Sequence, residues 1–181
     1  MQDKTNAGRK IPVEFVGELR DDQQHAISTL RNYNNGVLSA TTAFGKTVAV
    51  AALIAERKVN TLILVHSKAL LSQWKSILER FLLIDAQPEN TSHRRGRKKV
   101  FSTIGCLSSD GNTLHGIVDI AIMQSCFNDH DVKSFVQDYG MVVVDECHHV
   151  PAFNFEQVLK HITARYVYGL TATPIRKDGH Q

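Results

Sequence analysis

Short apolar runs rich in β-branched residues alternate along this chain with segments whose apolar residues recur at helical spacing. This alternation predicts β–α–β units and a parallel sheet, because the helices that connect parallel strands cover both faces of the sheet. The predicted strands are Gly36–Ala40, Thr61–His66, Val100–Ile104, Val118–Met123, Met141–Asp145 and Tyr166–Leu170. The predicted helices are Asp22–Tyr33, Lys46–Lys58, Lys68–Leu83, Asp131–Tyr139 and Phe153–Thr163. The expected fold class is therefore α/β.

The helix predicted at Lys68–Leu83 has the clearest amphipathic pattern. One face collects its apolar residues, which are Leu70, Leu71, Trp74, Ile77, Leu78, Phe81 and Leu82. Ser67 stands just before this segment, where a side-chain oxygen caps a helix N-terminus. Because Trp74 lies on the apolar face, we expect it to pack in the core rather than to stack on a base.

The composition is that of an ordinary globular domain. Hydrophobic residues make up 43% and charged residues 22% of the 181 residues, which excludes a disordered or collagen-like chain. The longest apolar run, Val48–Ala55, is far shorter than the about 20 residues that span a bilayer. The first ten residues lack the apolar stretch of a secretory signal, and three cysteines without a CxxC spacing favour a reducing compartment. We therefore expect a cytoplasmic protein without a membrane segment.

The segment Ala40–Thr47 (ATTAFGKT) follows a predicted strand and opens a predicted helix. A nucleotide phosphate loop requires this context, because backbone N–H groups of the turn and of the helix N-terminus point at the polyphosphate. Lys46 would reach the β- and γ-phosphates, and the Thr47 hydroxyl would bind Mg²⁺. Since Ala40 stands where the pattern GxxxxGK[ST] has glycine, this segment alone also fits a plain strand–turn–helix connection with a surface lysine.

The segment Met141–His148 (MVVVDECH) is an apolar strand that ends in two carboxylates. Asp145 at the end of such a strand can hold Mg²⁺ through water, and Glu146 can orient or deprotonate an attacking water. The separation of 99 residues between Lys46 and Asp145 leaves room for about three further β–α units. The two segments in this order, each on the element that its chemistry needs, predict a nucleotide site.

With these two segments the chain resembles the nucleic-acid-dependent ATPases of helicase superfamily 2 that carry DExH-type signatures. ATTAFGKT looks like motif I of that group, and DECH looks like motif II. Four further stretches are similar to its other motifs: Leu19–Gln23 to the adenine-recognising glutamine motif, Val65–Trp74 to motif Ia, Ile120–Ser125 to a nucleic-acid-contacting motif, and Thr171–Pro174 to motif III. The likeness runs from about Val13 to the last residue and is greatest to the XPB-like and restriction-enzyme-helicase branch.

The resemblance implies a fold, cofactors and partners. The implied fold is a three-layer, RecA-like P-loop NTPase domain with a mainly parallel sheet and ATP at the carboxyl ends of the strands. Residues 1–18 are expected to form an N-terminal lead-in, and residues 19–181 the helicase N-terminal RecA-like ATP-binding domain. The implied cofactors are ATP and Mg²⁺. The implied partners are a DNA or RNA strand, the second RecA-like domain of the full-length protein, and a nuclease subunit or domain.

The resemblance also implies a role for each matching residue. Gln23 would read the adenine edge, with Arg20 beside it and Phe15 stacked on the ring. The phosphates would be bound by Thr42, Ala43, Phe44, Gly45, Lys46 and Thr47, the metal by Thr47 and Asp145, and the attacking water by Glu146. Nucleotide state would be coupled to domain movement by His148, Thr171 and Thr173. The nucleic-acid backbone would face Ser67, Gln73, Gln124 and Ser125, which suits phosphate contacts that position a strand without reading its sequence.

The chain departs from the family pattern in two respects. Ala43 stands where this branch usually has glycine, so its Cβ is expected to reshape the empty loop or to weaken nucleotide binding. The family also works with two RecA-like domains, the second of which supplies an arginine finger, whereas this chain stops just beyond motif III. We therefore expect the chain alone to hydrolyse ATP very poorly, since a missing arginine finger costs about 10³–10⁵ in rate.

The remaining charged and metal-binding residue types carry less information. The run His93–Lys99 (HRRGRKK) is a local basic patch, which fits a solvated loop and a nucleic-acid contact equally well. A zinc site is not expected, because the candidate ligands lack its spacing; they are Cys106, Cys126, Cys147, His148 and His149.

The expected function is the N-terminal ATP-binding motor domain of an ATP-dependent DNA helicase or translocase. Two alternatives stay open: a motor fragment of a restriction or conflict-system nuclease, and an ATP-switched nucleic-acid clamp that unwinds nothing.

Overall fold

The computed structural model describes residues 8–40, 45–84, 104–128, 131–145 and 152–172. The strands are β1 (Val13–Phe15), β2 (Asn35–Ala40), β3 (Thr61–Val65), β4 (Leu82–Ile84), β5 (Ile104–Ser108), β6 (Gly111–Asn112), β7 (Val118–Ile122), β8 (Phe127–Asn128), β9 (Asp131–Val132), β10 (Met141–Val144) and β11 (Tyr166–Ala172). The helices are α1 (Asp21–Arg31), α2 (Lys46–Arg57), α3 (Lys68–Phe81) and α4 (Ala152–His161). In this part of the chain no helix is long and apolar enough to cross a membrane.

Seven strands form the main sheet, in the order β2–β11–β10–β3–β7–β5–β6. Every neighbouring pair is parallel except β5 and β6, which form an antiparallel hairpin. All residues of β3, β7 and β10 are buried, as expected for parallel strands that are covered on both faces. The mainly parallel sheet therefore agrees with the α/β class that the apolar runs predict.

Two hydrophobic cores, one on each face of the sheet, give the domain three layers. On one face, Ile63 of β3 and Val143 of β10 pack with residues of α1, α2 and α3. On the other face, Leu64 and Val144 of the same strands pack with Val158 of α4. This division follows from the period of two in a β-strand, which sends successive side chains to opposite faces.

Two predicted elements differ from the structure. The helix expected at Asp131–Tyr139 is wrong: residues 131–132 form β9, which pairs with β8, and residues 134–137 form a single 3₁₀ turn. The Lys133 N–H donates to the Cys126 carbonyl, so the start of the segment is held in a hairpin while Val136 and Tyr139 are still buried. The strand expected at Val100–Ile104 overlaps β5 only at Ile104, and its other residues lie outside the described ones.

Helix α3 ends at Phe81, two residues before its predicted end, because the chain turns there into β4. The β4 strand pairs antiparallel with β1, an element that the sequence did not predict. The Phe15 ring of β1 stacks on the Phe81 ring, with centroids 5.9 Å apart and an interplanar angle of 11°. The strand β1, which precedes α1, therefore packs against the C-terminal end of α3.

Arg57, the last residue of α2, joins three elements at the amino end of β11. Its Nη2 donates to the Arg31 carbonyl at the end of α1 (2.8 Å) and to the Tyr168 hydroxyl of β11 (3.1 Å). Its guanidinium carbon lies 4.3 Å from the centroid of the Tyr166 ring. The Tyr168 hydroxyl also donates to the Tyr33 carbonyl (2.6 Å). Burial raises the pKa of Tyr168, although the positive charge of Arg57 opposes this shift.

We expect Arg57→Ala to lower the free energy of unfolding by about 2–3 kcal/mol, because it removes charge-assisted hydrogen bonds and a cation–π contact from a half-buried site. Urea denaturation followed by circular dichroism measures the change. The control is Lys75→Ala, whose ammonium is 3.9 Å from Glu79 with both side chains 43% exposed. An exposed pair of this kind contributes at most about 0.5 kcal/mol. Equal effects of the two substitutions would contradict the role given to Arg57.

Candidate nucleotide-binding site

Several predicted site residues that the structure describes follow the carboxyl ends of parallel strands, at one edge of the sheet. Residues 41–44, Thr42, Ala43 and Phe44 among them, separate β2 from α2 and lie outside the described residues. Asp145 directly follows β10, and Thr171 lies near the end of β11, opposite Ser39 of β2. Open α/β sheets bind ligands at this edge, and the described ends of β2 and β10 both lie along it.

Gly45 is the N-cap of α2 and adopts a left-handed conformation, with φ 76° and ψ 51°. It provides no side chain to cap the helix, and the first turn of α2 carries no acidic residue. The positive end of the helix dipole therefore meets no carboxylate of its own helix. Lys46 and Thr47, the first two residues of α2, are half-buried. This geometry suits an anion such as a polyphosphate.

Gln23 joins the predicted adenine motif to the phosphate loop. Its Nε2 donates to the Gly45 carbonyl (3.2 Å), and its Oε1 accepts from the Arg20 N–H (3.0 Å) as part of a capping box at the start of α1. Only 5% of Gln23 is exposed. A Cβ added to Gly45 would lie 2.6 Å from Gln23 Nε2, so the two residues fit together only because position 45 is glycine.

A cavity of about 410 Å³ opens beside this motif and is lined by Phe15, Gly17, Glu18, Leu19 and Gln24. Phe15, which the resemblance places against an adenine ring, therefore lies in the cavity wall. Its stack on Phe81 fixes the ring from the side of α3. The lining combines an aromatic ring, an aliphatic side chain and polar groups, the mixture typical of small-ligand sites.

Asp145 is held in the protein interior at the end of β10. Asp145 is only 6% exposed, and its Oδ2 accepts a 2.7 Å hydrogen bond from the indole Nε1–H of Trp74. Its backbone N–H donates to the Leu64 carbonyl (2.9 Å), which continues the strand pairing by one residue. Trp74 is buried in the core, as the sequence predicts, but its contact with the predicted metal carboxylate was not foreseen. Glu146 and His148 lie outside the described residues.

The residues expected to face a nucleic-acid backbone follow the ends of two neighbouring strands. Ser67 comes after β3 and caps α3 by accepting from the Leu70 N–H (3.2 Å), as its position predicts. Gln73 lies on the exposed surface of α3, about 9 Å along the helix from Ser67. Gln124 is exposed and Ser125 half-buried in the 3₁₀ turn that follows β7. Thr173, expected to act with Thr171, lies outside the described residues.

A second buried carboxylate, Asp119, lies at the opposite, amino end of β7. It accepts hydrogen bonds from the Tyr139 hydroxyl and from the Gly116 N–H (2.8 Å). Burial, with the neighbouring Asp119 charge, raises the pKa of Tyr139 above its ordinary value. In the sequence, the signal for this cluster is an aspartate within an otherwise apolar strand, VDIAI. Its place, far from the loops of the site, makes it part of the packing of the sheet.

Solved structures that share this fold include a helicase and an ATPase core. The UvsW helicase from Bacteriophage T4 matches with a TM-score of 0.66 and 17% identity, over 94% of this chain and 58% of that one. The SWI2/SNF2 ATPase core of Sulfolobus solfataricus, solved in complex with dsDNA, matches with a TM-score of 0.60 and 17% identity, over 88% and 33% of the two chains. The shared fold is an α/β domain with a mostly parallel seven-stranded sheet that matches RecA-like helicase domains, which confirms the expected fold class.

The chain belongs to the family described as "Type III restriction enzyme, res subunit", whose model matches residues 17–176. Its relatives include "Putative helicase 109L" of Invertebrate iridescent virus 3, 34% identical over 92% of this chain and 48% of the relative. "Putative helicase 161L" of Invertebrate iridescent virus 6 is 31% identical over 93% and 36%. "DNA 3'-5' translocase XPB2" of Sulfurisphaera tokodaii is 26% identical over 90% and 32%. The chain thus spans about a third to a half of the length of these relatives.

We expect Gly45→Ala to lower the free energy of unfolding by about 1–2 kcal/mol, because alanine is strained at positive φ and its Cβ meets the Gln23 amide. Urea denaturation of Gly45→Ala, Gln23→Ala and the double variant measures both effects. The double variant is expected to lose less than the sum of the single losses, since removing the amide relieves the contact.

The matched control is Gly36→Ala in β2, whose added Cβ would make an ordinary 3.8 Å contact with Leu30. We expect its stability to stay within about 0.5 kcal/mol of the wild type. Strict additivity of the Gly45 and Gln23 substitutions would contradict the contact between the two residues.

Proposed function

We propose that this chain is the N-terminal ATP-binding motor domain of an ATP-dependent DNA helicase or translocase, which couples hydrolysis of Mg²⁺-bound ATP to movement on nucleic acid. The observation that carries the proposal is the arrangement at the carboxyl edge of the sheet. The residues proposed to bind phosphate, metal and nucleic acid follow β2, β10, β3 and β7, which belong to one set of parallel strands. A domain that binds nucleotide and nucleic acid at one edge can transmit changes between them.

The phosphates of ATP would lie over the N-terminus of α2. Lys46 would supply the positive charge for the β- and γ-phosphates, and the backbone N–H groups of the first turn would donate to their oxygens. The left-handed Gly45 would allow the backbone to approach the phosphates closely, because it carries no Cβ. The residues Thr42, Ala43 and Phe44 are proposed to complete the loop.

The adenine base would occupy the cavity lined by Phe15, Gly17, Glu18, Leu19 and Gln24. Its ring would pack on Phe15, and its polar edge would be read by Gln23, with Arg20 beside it. Gln23 already bonds the Gly45 carbonyl, so one side chain would contact the base and the phosphate loop. Through Gln23, binding of the adenine in the cavity would change the affinity of the loop for the phosphates.

The oxygen atoms of Asp145 and Thr47 fit Mg²⁺, which prefers hard oxygen ligands and keeps several waters. When bound, the metal would neutralise charge that develops on the β- and γ-phosphates during transfer to water. Glu146 is proposed to orient or deprotonate that water. His148, Thr171 and Thr173 are proposed to transmit the nucleotide state to the second RecA-like domain, whose arginine would complete the catalytic centre.

Nucleic acid would pass over the residues that follow β3 and β7. The hydroxyls of Ser67 and Ser125 and the amides of Gln73 and Gln124 can donate to phosphate oxygens, which holds a strand without reading its bases. Relatives named as DNA translocases and helicases support DNA as the substrate. The family description favours one second candidate, which is a motor that serves a restriction nuclease. A nuclease domain or subunit that acts with the complete protein would distinguish this candidate from a helicase or translocase without a nuclease.

Lys46→Ala is expected to weaken binding of a fluorescent ATP analogue with Mg²⁺ by about 100-fold or more, because charge-assisted hydrogen bonds to the phosphates are lost. Fluorescence anisotropy at equilibrium measures the affinity. Lys160→Ala is the matched control, since this exposed lysine lies in the last turn of α4, which packs on the other core. Unchanged affinity in Lys46→Ala would refute the phosphate loop and the proposed function.

Gln124→Ala and Gln73→Ala are each expected to weaken binding of fluorescently labelled DNA by about 3–10-fold, the effect of one neutral hydrogen bond. Since neither residue is charged, the slope of log affinity against log salt concentration should not change. Anisotropy titrations at several salt concentrations measure both quantities. Gln137→Ala, an exposed glutamine before the amino end of β10, is the control. Equal DNA affinity in all four proteins would contradict the proposed nucleic-acid face.

A further inference from the structure

The buried hydrogen bond between Trp74 and Asp145 joins the apolar core to the nucleotide site. Trp74 is 1% exposed in the middle of α3, and Asp145 is 6% exposed at the end of β10. The 2.7 Å bond from the indole Nε1–H to Asp145 Oδ2 spans 71 residues of sequence. Neither the motif resemblance nor the amphipathic pattern of α3 gives Trp74 any part in nucleotide chemistry.

The chemistry of the indole suits it to orienting a carboxylate that also binds a cation. Indole N–H donates a hydrogen bond and accepts none, so it cannot take a place among the ligands of a metal. A hydrogen bond to a charged oxygen is strong, and the low dielectric of the interior strengthens it further. One oxygen of Asp145 is thereby fixed, which restricts the rotation of the whole carboxylate.

The surroundings of Trp74 make the donor rigid. Its helix packs on α2 and the sheet within one core, in which Leu78, one turn further along α3, is also fully buried. Ser67 caps the helix at its start and Phe81 stacks on Phe15 at its end. A donor held at such a fixed point sets the direction of the carboxylate before any ligand arrives.

We propose that Trp74 is a positioning residue for the Mg²⁺ carboxylate: its indole N–H holds Asp145 in the orientation that binds the metal of the Mg²⁺–nucleotide complex. This inference rests on the proposed function, because it assigns a partner to the carboxylate of that site. Groups that orient metal ligands typically contribute about 10–100-fold to metal affinity. Trp74 would contribute through Asp145 and would touch neither metal nor nucleotide.

The test compares ADP affinity with and without metal. Isothermal titration calorimetry of the 181-residue chain with ADP, first in excess EDTA and then at increasing free Mg²⁺, gives the gain in affinity that the metal provides. Trp74→Phe removes the donor and keeps an aromatic ring. Because the chain has one tryptophan, growth with β-(3-benzothienyl)alanine provides a second variant, in which sulfur replaces the N–H and the shape of the ring system is retained.

In both variants we expect the Mg²⁺-dependent gain to fall about 10–100-fold, with ADP affinity in EDTA within about twofold of wild type. Leu78→Ala is the matched control: it leaves a cavity in the same helix interface, so it should lower Tm while the gain from Mg²⁺ stays within about twofold of wild type. A readout that depends on metal separates a positioning role from simple packing.

Three outcomes would overturn the inference. The first is a full Mg²⁺-dependent gain in the benzothienyl variant. The second is a Leu78→Ala variant that loses as much of the Mg²⁺-dependent gain in ADP affinity as Trp74→Phe does. The third is a wild-type chain that binds ADP equally well with Mg²⁺ and with EDTA. A wild-type chain that binds no ADP, or a Lys46→Ala variant that binds ADP as tightly as wild type, would refute the proposed function and this inference with it.

Discussion

The hydrogen-bonded register of four parallel strands fixes the relative positions of the strand ends that lead to the proposed nucleotide site. In this register Ala172 of β11 is level with Ala40 of β2, and Val144 of β10 is level with Leu64 of β3. Val144 is also level with Gly169 of β11, and Gly169 with Val37 of β2, three residues before Ala40. The chain therefore leaves the sheet at the same carboxyl edge after β2, towards the proposed phosphate loop, and after β10, at Asp145. Because side chains alternate between the faces of a strand, a slip of one residue in β10 would turn the Asp145 side chain to the opposite face. The buried apolar residues of β3 and β10 prevent such a slip.

Two polar contacts, one buried and one partly buried, hold helices against groups at the carboxyl edge of the sheet. The Gln23 amide joins the start of α1 to Gly45, and the Trp74 indole joins the middle of α3 to Asp145. Each contact pairs a side chain from a helix on one face of the sheet with a group at its carboxyl edge. Buried polar groups are costly when they are unpaired, so each contact also selects one arrangement of the helix relative to the strand.

The sequence predicts the elements that depend on local pattern. The buried strands β3, β7 and β10 follow from mainly apolar runs, which Thr61 begins in β3 and Asp119 interrupts in β7, and α3 follows from its apolar face and from Ser67. The segment 131–139 has the same helical spacing, yet pairing of β8 with β9 holds its first residues, and this competing contact is not visible in the spacing. The strands β1 and β4 are three residues each and stabilise one another across a long separation in sequence. The partners of Gln23 and Trp74 likewise depend on tertiary structure, although a tryptophan N–H in a core requires some acceptor.

The two halves of the site rest on strands with very different protection from solvent. In the described sheet β2 has one neighbour, β11, and Val37 within it is 63% exposed, whereas β10 lies between two strands with every residue buried. Amide hydrogens of an edge strand exchange through small local openings, while those of a central strand exchange only when much of the sheet opens. We therefore expect the proposed phosphate-binding half to readjust at little energetic cost when a nucleotide binds or leaves, and the half that carries Asp145 to keep its shape.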